Sequence, residues 1–275
     1  LVGSEMCIRD STPAQITQKA EDLGVTKTEM SFGRSFALSI MAGAFIAMGA
    51  MFFSLVVGDP ALPFAIQRVL GGFLFCLGLI LVVVAGAELF TGNTMIVMTA
   101  ASKRIKWSAV WKNWIVVFFG NFLGALVIVG LVFLSDMSAM NGGQVGQTMV
   151  SVAAGKMHAD WLVLFAKGVM CNFLVCLGVW MAYASKTVAD KILAVVFPIT
   201  AFVACGFEHC VANMFFLPMG ALLASCGIAP AGIDPASVNM LGALYNWSAT
   251  VPGNIVGGAL MVGMMYWFIY RKKKN

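Results

Sequence analysis

The sequence predicts an all-α polytopic membrane protein, with six transmembrane helices in an inverted three-helix repeat whose second and fifth helices are broken. Three observations carry this. Of 275 residues, 60% are hydrophobic and 11% charged, against roughly a quarter charged in soluble domains. The apolar residues fall in long, nearly uncharged runs and not in the alternating ten-residue segments of a membrane barrel. Two of those runs are interrupted by one polar pattern, Gly-x-Glu, four residues, then Asn, at Gly86 to Asn93 and again at Gly206 to Asn213.

In chain order, residues 1–11 begin without Met and read as a non-native segment, to be set aside from fold reasoning. Residues 12–35 read as an N-terminal cytoplasmic helix, with Thr12 as N-cap and Pro13 in the first turn. The transmembrane domain covers 36–270, its repeats 36–135 and 160–270, and a basic cytoplasmic tail follows at 271–275. Apolar spans fall near 36–58, 66–101, 108–135, 160–185, 191–227 and 245–270.

Charge sets the orientation. Lys19, Lys27 and Arg34 precede the first span, Lys103, Arg104, Lys106 and Lys112 follow the second, Lys186 and Lys191 follow the fourth, and Arg271 to Lys274 end the chain. The alternate connections hold only Arg68, Lys156 and Lys167. The bias puts both termini in the cytoplasm. It also requires an odd number of crossings between Arg68 and Lys103. A run of about 36 residues would make a helix of roughly 54 Å against a hydrocarbon core of about 30 Å. The second and fifth runs therefore cross once each and break at the Gly-x-Glu stretches, where glycine relieves the backbone and polar groups can line a cavity.

A second match supports duplication: Asn113-Trp114, five residues, Gly120-Asn121-x-x-Gly124 recurs as Asn246-Trp247, five residues, Gly253-Asn254-x-x-Gly257. Three crossings per half make the halves face opposite ways, and paired broken helices in such a repeat point to a transport pathway between them. The Gly-x-x-x-Gly pairs read as sites of close helix approach, and Asn121 and Asn254 as hydrogen-bonding ties between helices.

Several polar groups at membrane depth have a choice of roles. Glu88 and Glu208 either cap the amides freed at the breaks or contact a permeant; holding the loops fits an anion pathway better. His209 lies inside the second break, and an imidazole there can exchange a proton near neutral pH. The other histidine, His158, falls in an outer loop, so no metal site is expected. The cysteines lie mostly within apolar runs without Cys-x-x-Cys and read as small apolar residues. The scattered basic residues speak for membrane orientation and against nucleic acid. No nucleophile–base constellation suggests an enzyme, and no cofactor is implied.

Residues 85–93 (Ala-Gly-Ala-Glu-Leu-Phe-Thr-Gly-Asn), 206–214 (Gly-Phe-Glu-His-Cys-Val-Ala-Asn-Met), Gly-Asn-x-x-Gly at 120 and 253, and Cys-Asn-Phe-Leu-Val-Cys-Leu at 171–177 resemble the formate/nitrite transporter family over about residues 14–270. The resemblance implies a homopentamer of aquaporin-like protomers, each with its own pore, in a bacterial cytoplasmic (inner) membrane. It implies His209 as the central pore histidine, Thr91 as its hydrogen-bonding neighbour, and Asn172 and Asn213 as polar residues near the central chamber. Leu79, Phe90 and Val175 would form the cytoplasmic constriction, Phe75 and Phe202 the outer one, and Lys156 would attract anions in the outer vestibule. The expected function is a lipid-embedded channel for small monovalent anions of weak acids, formate or nitrite first, neutralised near His209. Hydrosulfide or lactate transport within the family is the alternative, as is an aquaporin-like neutral-solute pore, though neither break contains Asn-Pro-Ala.

Overall fold

A computed structural model describes residues 11–270. The expected non-native segment up to residue 10 and the basic tail 271–275 lie outside the described residues. Those described are helical and contain no strand. In order they form α1 (Pro13–Glu29), α2 (Phe32–Val57), α3 (Phe64–Leu81, prolonged by a π-helical turn at Val82–Gly86), α4 (Phe90–Asn93), α5 (Val97–Ala101), α6 (Trp107–Leu134), α7 (Gln144–Met157), α8 (Trp161–Ala184), α9 (Val188–Ala204), α10 (Cys210–Ser225), α11 (Met240–Ile255) and α12 (Met265–Tyr270). A second π-helical stretch, Val256–Met264, joins α11 to α12. Five continuous helical stretches are long and apolar enough to cross a membrane: Phe32–Val57, Phe64–Gly86, Trp107–Leu134, Trp161–Ala184 and Met240–Tyr270.

The surface is inverted relative to a soluble protein. On α6, Ile115, Phe119, Leu123, Val127 and Leu131, spaced one turn apart, are exposed, while Asn93, Asn121, Asn172, Asn213, Asn246 and Asn254 are all at most 1% exposed. Such an arrangement suits a lipid surround, where polar groups must find partners inside the protein. α2 packs along α6 as α8 packs along α11, and α9 of the second half packs on α3 of the first. Glycine allows the tightest approaches. A β-carbon at Gly124 would collide with the Ile40 carbonyl oxygen, and one at Gly257 with that of Val169.

Two elements depart from the sequence reading. α1 is docked, not merely laid on a surface: Ile16, Thr17 and Glu21 are buried, Ser102 donates to Glu21 Oε1 at 2.6 Å, and Arg104 pairs with Asp22 at 2.7 Å. Its start is fixed by a capping box, Gln15 N donating to Thr12 Oγ1 and Thr12 N to Gln15 Oε1. The connection expected between residues 135 and 160 contains a further helix, α7, which packs against α10. Its buried stripe, Val145, Met149, Val150, Ala153 and Met157, runs at helical spacing, but the segment is too short and too polar to stand out as a span.

Candidate functional site

At both Gly-x-Glu stretches helix stops, the chain runs briefly extended, and helix resumes. Gly86 (φ +80°) and Gly206 (φ +72°) take the left-handed conformation that ends a helix. Ala87 N then returns to Val82 O, and Phe207 N to Phe202 O, both at 3.0 Å. Glu88 N reaches across to Leu38 O of α2, and Glu208 N to Lys167 O of α8, both at 3.2 Å. The same tie is thus made twice.

The side chains repeat it. Asn121 accepts from Phe90 N at 2.9 Å and donates to Ser39 O and Glu88 O. Asn254 accepts from Cys210 N at 2.8 Å and donates to Gly168 O and Glu208 O. These two amides satisfy the loop backbone, a role expected above for the glutamates. The carboxylates take side-chain donors. Glu88 accepts from Lys27 Nζ at 2.8 Å and Asn93 Nδ2 at 2.7 Å; Glu208 accepts from Lys156 Nζ at 3.0 Å and Asn213 Nδ2 at 2.7 Å. Asn93 also donates to Asn113, and Asn213 to Asn246. Asn113 and Asn246 close each ring onto the backbone oxygens of Lys27 and Lys156. Lys156 sits in the last turn of α7, ion-paired with Glu208 and 5.4 Å from the centre of the Phe216 ring.

Sequence reasoning missed Lys27 as the counterpart of Lys156. The signal was present in part, since Asn93 and Asn113 had been matched to Asn213 and Asn246, but nothing local marks α1 and α7 as equivalent.

The two networks differ in detail. Asn246 Nδ2 also donates to Glu208 Oε2 and Asn246 Oδ1 accepts from Thr250 Oγ1, both at 3.3 Å, and the lysines differ in what else they serve. Asn93 Oδ1 accepts from Lys27 Nζ at 2.8 Å, whereas Asn213 Oδ1 is buried without a partner.

His209 and Thr91 join the two stretches. His209 Nε2 lies 3.0 Å from Thr91 Oγ1, and Nδ1 accepts from Ala212 N at 3.0 Å as the N-cap of α10. An acceptor at Nδ1 places the proton of the neutral ring on Nε2, pointing at Thr91. The imidazole is 3% exposed and Thr91 fully buried. Phe202 stacks on the imidazole at 5.8 Å and meets Phe75 edge-on at 5.8 Å. Asn172 donates to Thr91 O, Thr94 Oγ1 and Asn254 O, which ties α8 to the first stretch and to α11.

A cavity approaches from each side. The first, about 420 Å³, is lined by Lys19, Lys27, Lys191, Glu88 and Leu79 among others. The second, about 330 Å³, is lined by Arg68, Lys156, Lys167, Glu208, Phe75, Phe202 and His209 among others. Each therefore sets three cations against one carboxylate, which makes both attractive to anions. Phe75 and Leu79 lie one turn apart on α3 and face different cavities, so the partition between them is about 6 Å thick along that helix. Val175 is 1% exposed and lines neither cavity. Phe90 packs edge-on against Trp114 and Phe118 and also lines neither. No group of three or more His, Cys, Asp or Glu among the described residues is placed to hold a metal.

The formate/nitrite transporter family model matches residues 14–268. The formate channel FocA of Escherichia coli (strain K12) is 38% identical over 273 residues, 96% of this chain and 95% of that protein. Two solved structures superpose well. One, a pentameric formate channel with formate bound, is 37% identical with a TM-score of 0.78, covering 88% of this chain and 98% of its own. The other, an ion channel of the same family, is 27% identical with a TM-score of 0.81, covering 92% and 98%. With its paired polar stretches, its inverted packing and these full-length matches, the chain belongs to the formate/nitrite transporter family.

Proposed function

We propose that this chain is a channel for small monovalent anions of weak acids, formate first and nitrite second, working as a homopentamer in the bacterial cytoplasmic membrane with both termini in the cytoplasm. Its membrane domain has six crossings, the second made of α3 with α4 and α5, and the fifth of α9 with α10. The first cavity is then the cytoplasmic vestibule and the second the outer one. The similarity to formate channels of known structure supports the substrate class and the pentamer. The observation that carries the reading is the 3.0 Å contact between His209 Nε2 and Thr91 Oγ1, held beside the apolar Phe75–Phe202 pair between two cationic cavities.

An anion drawn into the first vestibule meets the apolar wall at Leu79, and one drawn into the second meets it at Phe75 and Phe202. Stripping water from a charge there costs several kcal/mol or more, which holds back ions that stay charged. The anion of a weak acid has another course. It takes the place of Thr91 as acceptor of the Nε2 proton, and hydrogen bonding compensates part of its lost hydration. Full neutralisation needs a second proton on the ring, at Nδ1, where the Ala212 N–H now points. The imidazolium forfeits that cap and faces the positive end of α10, so the neutral ring is the resting form. When protonated from a vestibule it passes the Nε2 proton to a carboxylate oxygen, leaving neutral acid and neutral imidazole. Glu88, Glu208, Asn172 and Asn213 hold the loops that position this pair.

Proteoliposomes offered formate, nitrite, hydrosulfide, lactate and glycerol at two pH values test the reading. Formate and nitrite flux is expected to exceed the rest and to rise at the lower pH. Glycerol flux without weak-acid flux would overturn it in favour of a neutral-solute pore.

A further inference from the structure

We infer that Arg68 is a positioning residue that clamps the outer constriction from across the repeat. Helix α9 ends in a Schellman arrangement, Phe207 N bonding Phe202 O and Gly206 N bonding Val203 O. That motif leaves the Ala204 carbonyl without a partner and the Val203 oxygen with a free lone pair. Arg68, on α3 of the other half, supplies both: Nε donates to Ala204 O at 2.9 Å and Nη2 to Val203 O at 2.8 Å. Its positive charge sits at the negative end of α9. The guanidinium is braced 5.8 Å from the centre of the Phe53 ring, and a β-carbon at Gly206 would stand 3.1 Å from Nη2, so the fork is fitted closely under the turn.

The clamped turn carries the constriction. Phe202 directly precedes Val203, stacks on His209 and meets Phe75, which lies on the same helix as Arg68 and two turns further along. Arg68 and Phe75 thus hold α9 from α3 at two levels. The first break has no such device. Among the described residues no side chain donates to the carbonyls of Val83 or Val84, its positions equivalent to Val203 and Ala204, and the helix there is loosened into a π turn. The planar two-pronged donor distinguishes a clamp from a vestibule charge, because lysine keeps the charge but lacks the fork.

This inference rests on the pore reading, and the test separates the two. Flux of formate and acetate through wild type, Arg68→Lys, Arg68→Gln and, as a comparator, Phe202→Ala is measured in proteoliposomes, with oligomeric state checked by size exclusion. A clamp predicts that both Arg68 variants raise the acetate-to-formate ratio about ten-fold, what one methylene of fit is worth in an apolar pocket, in the direction of Phe202→Ala. Arg68→Lys, which keeps the charge, is expected to raise the formate KM less than Arg68→Gln does. An unchanged ratio in Arg68→Lys, with formate carried normally, would overturn the clamp and leave the pore intact. Wild type carrying no formate would overturn both.

Discussion

The two polar stretches are built on one plan and put to different ends. Each has a Glu whose carboxylate takes a Lys and an Asn, and a second Asn that satisfies the resumed helix. They diverge at positions outside those carboxylate and asparagine networks. Where the second stretch has His209 as N-cap of α10, the first has Leu89, which caps nothing. Where the first has Thr91, the second has Val211. The donor and acceptor of the central hydrogen bond therefore come from opposite repeats and from non-equivalent positions. After duplication, loop-holding residues had to stay in both copies because each buried group needs its partner. The residues facing the partition were free to specialise.

The largest expected effect tests whether the two scaffolds are equivalent. Lys27→Met or Lys156→Met leaves a buried carboxylate unpaired, a loss of about 3–5 kcal/mol. Lys27 also serves Asn93 Oδ1, so its removal should cost more, by about 1 kcal/mol for the extra hydrogen bond. Thermal unfolding in detergent followed by tryptophan fluorescence measures both, and Lys156→Met combined with Glu208→Gln should recover part of the loss. Equal losses for the two lysines would mean that the unpaired Asn213 Oδ1 has no energetic meaning.

How far the sequence spoke follows from what each feature depends on. Long apolar runs, the paired Gly-x-Glu stretches and the Asn-Trp repeats are local patterns, and composition with spacing located them. α7 was hidden because a helix of 14 residues whose stripe, Val145, Met149, Val150, Ala153 and Met157, alternates with Gln, Thr and Ser makes no long apolar run. Lys27 and Arg68 were hidden for another reason: their partners, Glu88 and the Val203 and Ala204 carbonyls, lie 61 residues or more away in sequence. For Glu88 and Glu208 the sequence shows that a carboxylate lies beside freed amides, but not that an asparagine from another helix reaches those amides first and leaves the carboxylates to side-chain donors. His209 and Thr91 were legible as a pair only through family resemblance. Nothing in their spacing brings them within hydrogen-bonding range.

A smaller effect breaks the comparison at the centre. His209→Leu gives the second stretch the residue of the first, removes the α10 cap and loses about 1 kcal/mol of stability. Formate flux should lose its dependence on pH while the oligomeric state is unchanged. Thr91→Val removes only the partner hydroxyl. It should keep that dependence and lower flux modestly, because Nε2 still carries its proton. If both variants behaved alike in a pH series, the two stretches would share the proton chemistry and their division of roles would fail.

The smallest effect concerns the mouths. Lys19 on α1 lines the first cavity, donates to Tyr183 O at 2.6 Å, and has its pKa lowered by burial and then by repulsion from Lys186 and Lys191. A base whose folded pKa is lowered binds its proton less well in the fold than in the unfolded chain. The penalty is complete below the folded value and fades as pH rises from there toward the unfolded value of about 10.4. Stability should therefore climb through that alkaline window, and Lys19→Gln should flatten the climb in a series of unfolding curves. The same variant removes one of three cations at this mouth, so formate entry from this side should weaken by about two-fold at low salt and by less at 0.5 M salt, where charges this exposed are screened within a few ångströms. Entry from the side of the second cavity, lined by Arg68, Lys156 and Lys167, should not change. A loss equal from both sides would show that Lys19 acts on the partition itself, and the two vestibules could then no longer be treated as independent.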